Sequence, residues 1–514
     1  KIFIVRYLFI ILTSFFVQSQ TDVSGIIYEE TNWTVSGSPY TIIENTTFIS
    51  DLTIEAGVTV NLNGGYVRVK GKLIANGTES AIIKFTGQHG VWLDNTDTTF
   101  NQNKEYVDGN SFEYCQFDIA ANGQALDIGE FAVFLDHSSA LINNSEFNGE
   151  VGVVFDHLYN NNNRNTGSVI SNSQFKLNGR YAISIGSSSG SSRDISNNLI
   201  EKNTFDNSPV RLGGYKIISI NNVFKHNSFK NSNSTALYLG WGDVVPGVLG
   251  ADIYNNIFID NVTAVVIGSR PGNSFNMETE SDYGPSRIRY NVFLNNSSNA
   301  IRADGTYHND SLEINDNIIV NSGSDDIYLD DEAGCKINNN LIYNVSASSG
   351  NLLSFIDSYQ DSDSKNNSIK NNTFYSFSRD IITSFYGGNT IENNNIFGSN
   401  FTYLIKATGD GANTMFTNNT VSSIVLDVID DKILDRSYDV DLYDVVASGT
   451  TIQPRTDTPI LPPQKTVKVI SGNNLDLSWE ANPESDIAGY KLYYGNPTGY
   501  SYDNVIDLGN VTSY

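Results

Sequence analysis

Two acid–imidazole pairs, Asp136-His137 and Asp156-His157, follow matching apolar runs, Ala132-Val133-Phe134-Leu135 and Gly152-Val153-Val154-Phe155. If the chain turns alike after both runs, the four side chains form a two-by-two patch within about 5 Å. Neighbouring carboxylates hold an imidazole partly protonated, and the coupled groups can exchange protons near neutral pH. Catalysis there also needs a cation for the substrate's charge, such as Arg164 or Arg180. Asp304 and Asp330-Asp331 occupy the same columns farther along, with Asp357 a further candidate. Stacked carboxylates repel, so either one of them is protonated or an oxygen-seeking cation such as Ca²⁺ sits between them. No cofactor is otherwise required. A third set, Tyr238, Trp241, Arg270, Arg302 and Tyr328, joins aromatic rings that can stack on sugars to arginines that grip carboxylate or sulfate. Each set has a structural alternative. Aspartate favours turns and bonds its own backbone, and scattered exposed aromatics are common.

These residues need a scaffold that repeats. A short apolar strand, a turn and Asn-x-Phe or Asn-x-Ile recur, anchored at Asn203, Asn227, Asn256, Asn291, Asn317, Asn340, Asn372, Asn395 and Asn419. The spacing is 23 to 35 residues, which indicates a solenoid or propeller. Two or three β-runs per repeat without helical periodicity select a parallel β-helix, one coil per repeat. Asparagine suits the corner because it tolerates left-handed backbone and can ladder from coil to coil. A second column, from Ala132-Val133-Phe134-Leu135 through Ala236-Leu237-Tyr238-Leu239 to Asp326-Ile327-Tyr328-Leu329, alternates inward aliphatic with outward residues. Leu353-Ser354-Phe355-Ile356 fits it in either of two registers. Length variation falls mainly just after this strand, at residues 158–167, 187–194, 241–252 and 270–286, so the inserts should wall one side of a groove.

Lys1 and Arg6 precede an apolar run, Tyr7 to Val17, closed by Gln18-Ser19-Gln20, which reads as a secretory signal peptide over residues 1–19. No other run is long and apolar enough to span a bilayer. The net charge of -26 argues against nucleic-acid partners. Cys115 and Cys335 fall about eight coils apart, far beyond the reach of a disulfide, so both are expected as buried thiols.

The segments Leu52-Thr53-Ile54-Glu55-Ala56-Gly57-Val58-Thr59-Val60 and Gly71-Lys72-Leu73-Ile74-Ala75-Asn76-Gly77-Thr78, with the Asn-x-Phe coils, resemble the right-handed parallel β-helix repeat proteins that many bacteria secrete, within the pectate lyase-like superfamily. Asp427 to Asp444 resembles the segment that closes such rods. After a proline-bearing linker at 450–464, Leu475-Asp476-Leu477-Ser478-Trp479 and Tyr490-Lys491-Leu492-Tyr493 resemble two strands of a fibronectin type III domain, with Trp479 as core tryptophan. The expected fold is therefore all-β: a β-helix over 20–449 and a partial, truncated β-sandwich over 465–514, with any surface anchor beyond it. The superfamily includes lyases, hydrolases and adhesins. Polygalacturonase-like relatives carry a Gly-His-Gly that is missing here, although paired aspartates are present at Asp325-Asp326 and Asp330-Asp331. Phe134-Leu135-Asp136-His137 is similar to a pectate lyase phrase, yet Arg270-Pro271 lacks the second arginine of their basic motif. Lys216 can serve as the lysine of alginate-cleaving relatives, whose arginine has no counterpart at Leu239-Gly240-Trp241. What the resemblance implies is a secreted or cell-surface protein that engages extracellular polysaccharide, as a lyase or glycoside hydrolase. The alternative is a non-catalytic adhesin or spacer rod.

Overall fold

The computed structural model describes residues 20–121, 130–156, 167–185, 193–213, 217–240, 248–268, 284–304, 312–330, 334–345, 350–356, 366–376, 379–384, 388–398, 405–407, 415–423, 446–448, 451–453, 464–471, 474–481, 487–494 and 504–514. The chain forms an all-β solenoid of stacked parallel strands, three short strands to a coil. In one coil these are Leu199–Glu201 on a first face, Thr204–Asp206 on a second and Val210–Leu212 on a third. The second and third faces merge through Tyr40–Phe48, an early strand that pairs into both.

Each face points one column inward. Phe112, Ile142, Ile170, Ile200 and Phe224 are successive partners on the first. On the second, the rings of Phe85, Phe117, Phe147, Phe175, Phe205, Phe229, Phe258 and Phe293 stack at 4.5 to 5.0 Å between centroids. That separation is the strand spacing itself, so one aromatic per coil packs ring on ring through this stretch of the core.

The corner between the first and second faces carries the asparagine ladder. Asn203 donates from Nδ2 to Ile170 O (2.8 Å) and to Asn227 Oδ1 (3.1 Å), and that oxygen also accepts the Asn203 backbone N–H. The same bonds run on through Asn256, Asn291, Asn317, Asn340, Asn372 and Asn419. Two expectations need correcting. The ladder member before Asn419 is Asn394, because Ile396 takes the inward place opposite Phe374; Asn395 lies in the strand. The left-handed backbone belongs to the preceding residue, as at Lys202, His226 and Asn255, and not to the ladder asparagine. Upstream, Ser173, Ser145 and Cys115 continue the column. Cys335 joins a separate ladder with Asn367 and Asn389. Both thiols are buried and neither is in a disulfide, and burial pushes that of Cys115 well up.

Inserts leave at the corner after the third face, where Arg193–Asp194, Ile217–Ile220 and Val248–Leu249 build a small parallel sheet of their own. An insert that sequence reading passed over, the hairpin Thr99–Phe100 with Tyr106–Asp108, packs Phe100 and Tyr106 on Leu141, Val169 and Leu199. Solenoid pairing continues through Val446–Ser448 and Thr451–Gln453. Beyond lie two antiparallel pairs, Gln464–Ser471 with Asn474–Glu480 and Tyr490–Tyr494 with Asn504–Gly509, and Trp479 meets Tyr490 edge-on at 5.1 Å. The expected signal peptide and the closing segment at Asp427 to Asp444 lie outside the described residues. No helix among the described residues is long and apolar enough to cross a membrane.

Candidate polysaccharide-binding face

The third face brings Asp136, His137 and Asp156 together. Asp136 and Asp156 are Cα partners in adjacent strands, as are Val133 and Val153. Past its strand, His137 turns through a left-handed backbone (φ 48°), and its Nδ1 lies 2.7 Å from Asp136 Oδ1. Trp92 Nε1 donates to the other oxygen, Asp136 Oδ2, at 3.2 Å. The carboxylate therefore fixes the ring through one nitrogen and turns Nε2 away from itself, a geometry suited to proton transfer. The symmetry expected of two equal pairs does not hold. Asp136 and His137 keep side-chain exposures of 20% and 41%, whereas Asp156 is buried at 7%. His157 and Arg164 lie outside the described residues.

A third acid, Asp94, occupies the rung before Asp136. Arg68 reaches its Oδ2 with Nη2 at 2.6 Å, and Lys70 Nζ lies 3.3 Å from the same oxygen. These cations stand where the sequence reading looked to Arg164 or Arg180. The signal was present: Val91-Trp92-Leu93-Asp94 repeats the pattern of Val133-Phe134-Leu135-Asp136, with Gly90 in place of alanine.

Along the centre of the same face, Tyr238, Val266, Arg302 and Tyr328 follow one another rung by rung, in the order expected, and Ser354 continues the column, which fixes the ambiguous register. The Arg302 guanidinium lies 5.3 Å from the Tyr328 ring centre. One rung before Tyr238 the sequence reading missed Arg211, whose guanidinium sits 5.5 Å from Tyr238 and 5.7 Å from Tyr181. Arg211 Nη1 donates to Tyr181 Oη at 3.2 Å. With Ser234 and Thr235 the three side chains line an open cavity of about 240 Å³. Pro209-Val210-Arg211-Leu212 follows the column pattern with proline in place of alanine, which hid it. At the start of the column Arg68 lies 4.2 Å over Trp92. Arginine thus precedes an aromatic ring by one rung at three places. The column is interrupted, because Phe134, Val154 and Val266 are buried although they point outward. Phe134 and Val154 pack with Phe131 under Trp92. Trp241 and Arg270, with most of the wall they were expected to begin, lie outside the described residues.

In the acidic group, Asp304 and Asp330 are strand partners, and Asp330 Oδ2 accepts a 3.3 Å bond from Tyr328 Oη. Asp331 and Asp357 lie outside the described residues. Among those described, no three metal-binding side chains converge.

No family model matches the chain, and no curated protein matches it. Solved structures do align over most of its length. The A-module of a mannuronan C-5 epimerase from Azotobacter vinelandii shares 12% identity over 84% of this chain and 91% of that one, with a TM-score of 0.27. A periplasmic alginate epimerase shares 10% over 80% and 78% with a TM-score of 0.26. A mannuronic acid specific family 6 polysaccharide lyase from human gut microbiota shares 11% over 84% and 86%, TM-score 0.27.

Proposed function

We propose that the third face is a binding track for an extracellular anionic polysaccharide, with Asp136 and His137 as the site of lyase or hydrolase chemistry. The observation that carries this is the recurrence of arginine against an aromatic ring, at Arg68–Trp92, Arg211–Tyr238 and Arg302–Tyr328, in one outward column of a protein of net charge -26. Cations are scarce in this chain, and three in line on one face match the repeating charge of a uronate or sulfated polymer. The rings offer flat apolar surface to the sugars between the charges, and the guanidinium forks offer paired donors. A secreted or cell-surface location, a fibronectin type III identity for residues 465–514 and anchoring beyond them belong to the same reading, as does Ca²⁺ held by Asp304, Asp330 and Asp331.

The test is incubation of the protein with uronic-acid, sulfated and neutral polysaccharides, following binding, new double bonds and reducing ends. An anionic polymer should bind the parent and bind an Arg211→Ala, Tyr238→Ala variant at least tenfold more weakly. Equal binding by a normally folded variant would remove the track. The second reading, a non-catalytic adhesin, is favoured by one observation: of the two expected acids only Asp136 faces solvent. Binding without any product from parent protein would select it.

A further inference from the structure

The corner between the first and second faces holds a cavity that the third-face track does not use. It measures about 330 Å³, within the range of small-ligand sites. Three consecutive coils build it the same way, each giving one left-handed corner residue and one outward strand residue. The pairs are Tyr114 with Gln116, Asn144 with Glu146 and Asn172 with Gln174. Gln116, Glu146 and Gln174 are in strand register, so the groove runs along the solenoid axis. Glu79 and Ile82 also line it, and the ladder residues Cys115 and Ser145 sit among the lining. Hydrogen bonds fix several of these groups: Gln116 Nε2 donates to Asp118 Oδ2 at 2.7 Å, and Asn172 Nδ2 to Asn143 Oδ1 at 2.8 Å.

We infer that this groove is a second glycan site, and that it takes an uncharged sugar chain. The lining contains amides, a phenol and two carboxylates, and no lysine, arginine or histidine. Glu79 and Glu146 repel a uronate or sulfate, so the ligand of the third face is excluded here. Amides present donors and acceptors side by side, which suits vicinal hydroxyls that are both at once. A peptide is the poorer fit. The strands beside the groove are paired on both sides, leaving no edge for strand addition, and Ile82 is the one aliphatic side chain in the lining. The coil repeat of about 4.8 Å is close to the length of one pyranose, so each successive sugar meets one polar corner residue and one polar strand residue.

The experiment titrates the whole chain with xylohexaose and cellohexaose, and separately with a galacturonate hexamer, by calorimetry with and without EDTA. At least one neutral hexamer should bind the parent and bind a Gln116→Ala, Gln174→Ala variant at least tenfold more weakly, with galacturonate binding unchanged. A Glu146→Gln variant, which replaces a lining carboxylate by an uncharged amide of the same shape, should retain neutral-sugar binding. Three outcomes would overturn the inference: no neutral hexamer binds, EDTA abolishes binding, or the neutral hexamer is lost on Arg211→Ala, Tyr238→Ala instead. Because galacturonate is read in its own arm, failure here is distinguishable from failure of the third-face track.

Discussion

Asp326 shows how much one residue can set against its fold. It stands where other coils place alanine, with no exposed surface, and accepts bonds from Ser322 N and from Asn344 Nδ2 at 3.2 and 3.0 Å. Burial is the dominant influence and pushes its carboxyl up to about 7, against the opposing pull of those donors and of Arg379. Asp325 is shifted up for the same reason, and burial pulls Arg379 down. The native state therefore keeps a proton on Asp326 that the unfolded chain releases near its ordinary value of 3.8. Stability from this group is complete below that value and is lost as pH rises toward 7, on the order of a few kcal/mol by linkage. An Asp326→Asn variant should flatten this part of the pH profile, with denaturant midpoints from pH 4 to 8 as the measurement. A variant whose midpoint still falls as steeply as the parent's would show that Asp326 is not the source.

At the scale of the coil, the ladder separates neighbouring asparagines that look alike in sequence. Asn394 is fully buried and donates from Nδ2 to Ile369 O at 3.0 Å and to Asn419 Oδ1 at 2.9 Å, while Asn395 points out of its strand. Asn394→Ala strands a backbone N–H and a carbonyl in the core and should cost about 2–4 kcal/mol, whereas Asn395→Ala should stay within about 0.5 kcal/mol. Equal costs in urea melts would contradict the phase assigned here. The phase shows which signals the chain displays openly. Apolar period and corner asparagines are repeated in coil after coil, so strand order and the alternation of Tyr238, Arg302 and Tyr328 could be read directly. In Asn393-Asn394-Asn395 the same residue type recurs in a run, and only packing of Ile396 beneath Phe374 chooses among the three. Arg211 was hidden because Pro209 replaces the alanine that marks other coils, whereas Asp94 was open to reading, since Gly90 stands where Gly152 does in a coil that was read. The groove at Gln116 was not legible at all, since it needs three polar residues from three coils to fall side by side.

For the whole molecule, charge distribution makes an unusual demand on the proposed ligand. A polyanion approaching the third face meets a body of net charge -26 before it meets Arg211 or Arg302. The body's repulsion acts over a Debye length, about 30 Å at 0.01 M salt and about 8 Å at 0.15 M. The guanidinium contacts act at hydrogen-bond distance and survive until screening reaches a few ångströms, near 1 M. Raising salt from the low end should first remove the repulsion and only later the attraction. Binding of an anionic oligosaccharide should therefore strengthen between about 0.01 and 0.15 M NaCl and weaken toward 1 M, mainly through the association rate in the first interval. Ordinary cation-rich polyanion sites weaken monotonically with salt. Surface plasmon resonance across this range checks the prediction, and a monotonic decline would mean that the arginines dominate the field at long range. A Lys substitution at Asp118, on another face, supplies the control: it should lift low-salt binding slightly and leave the high-salt limb unchanged, because it alters the body's charge without touching the track.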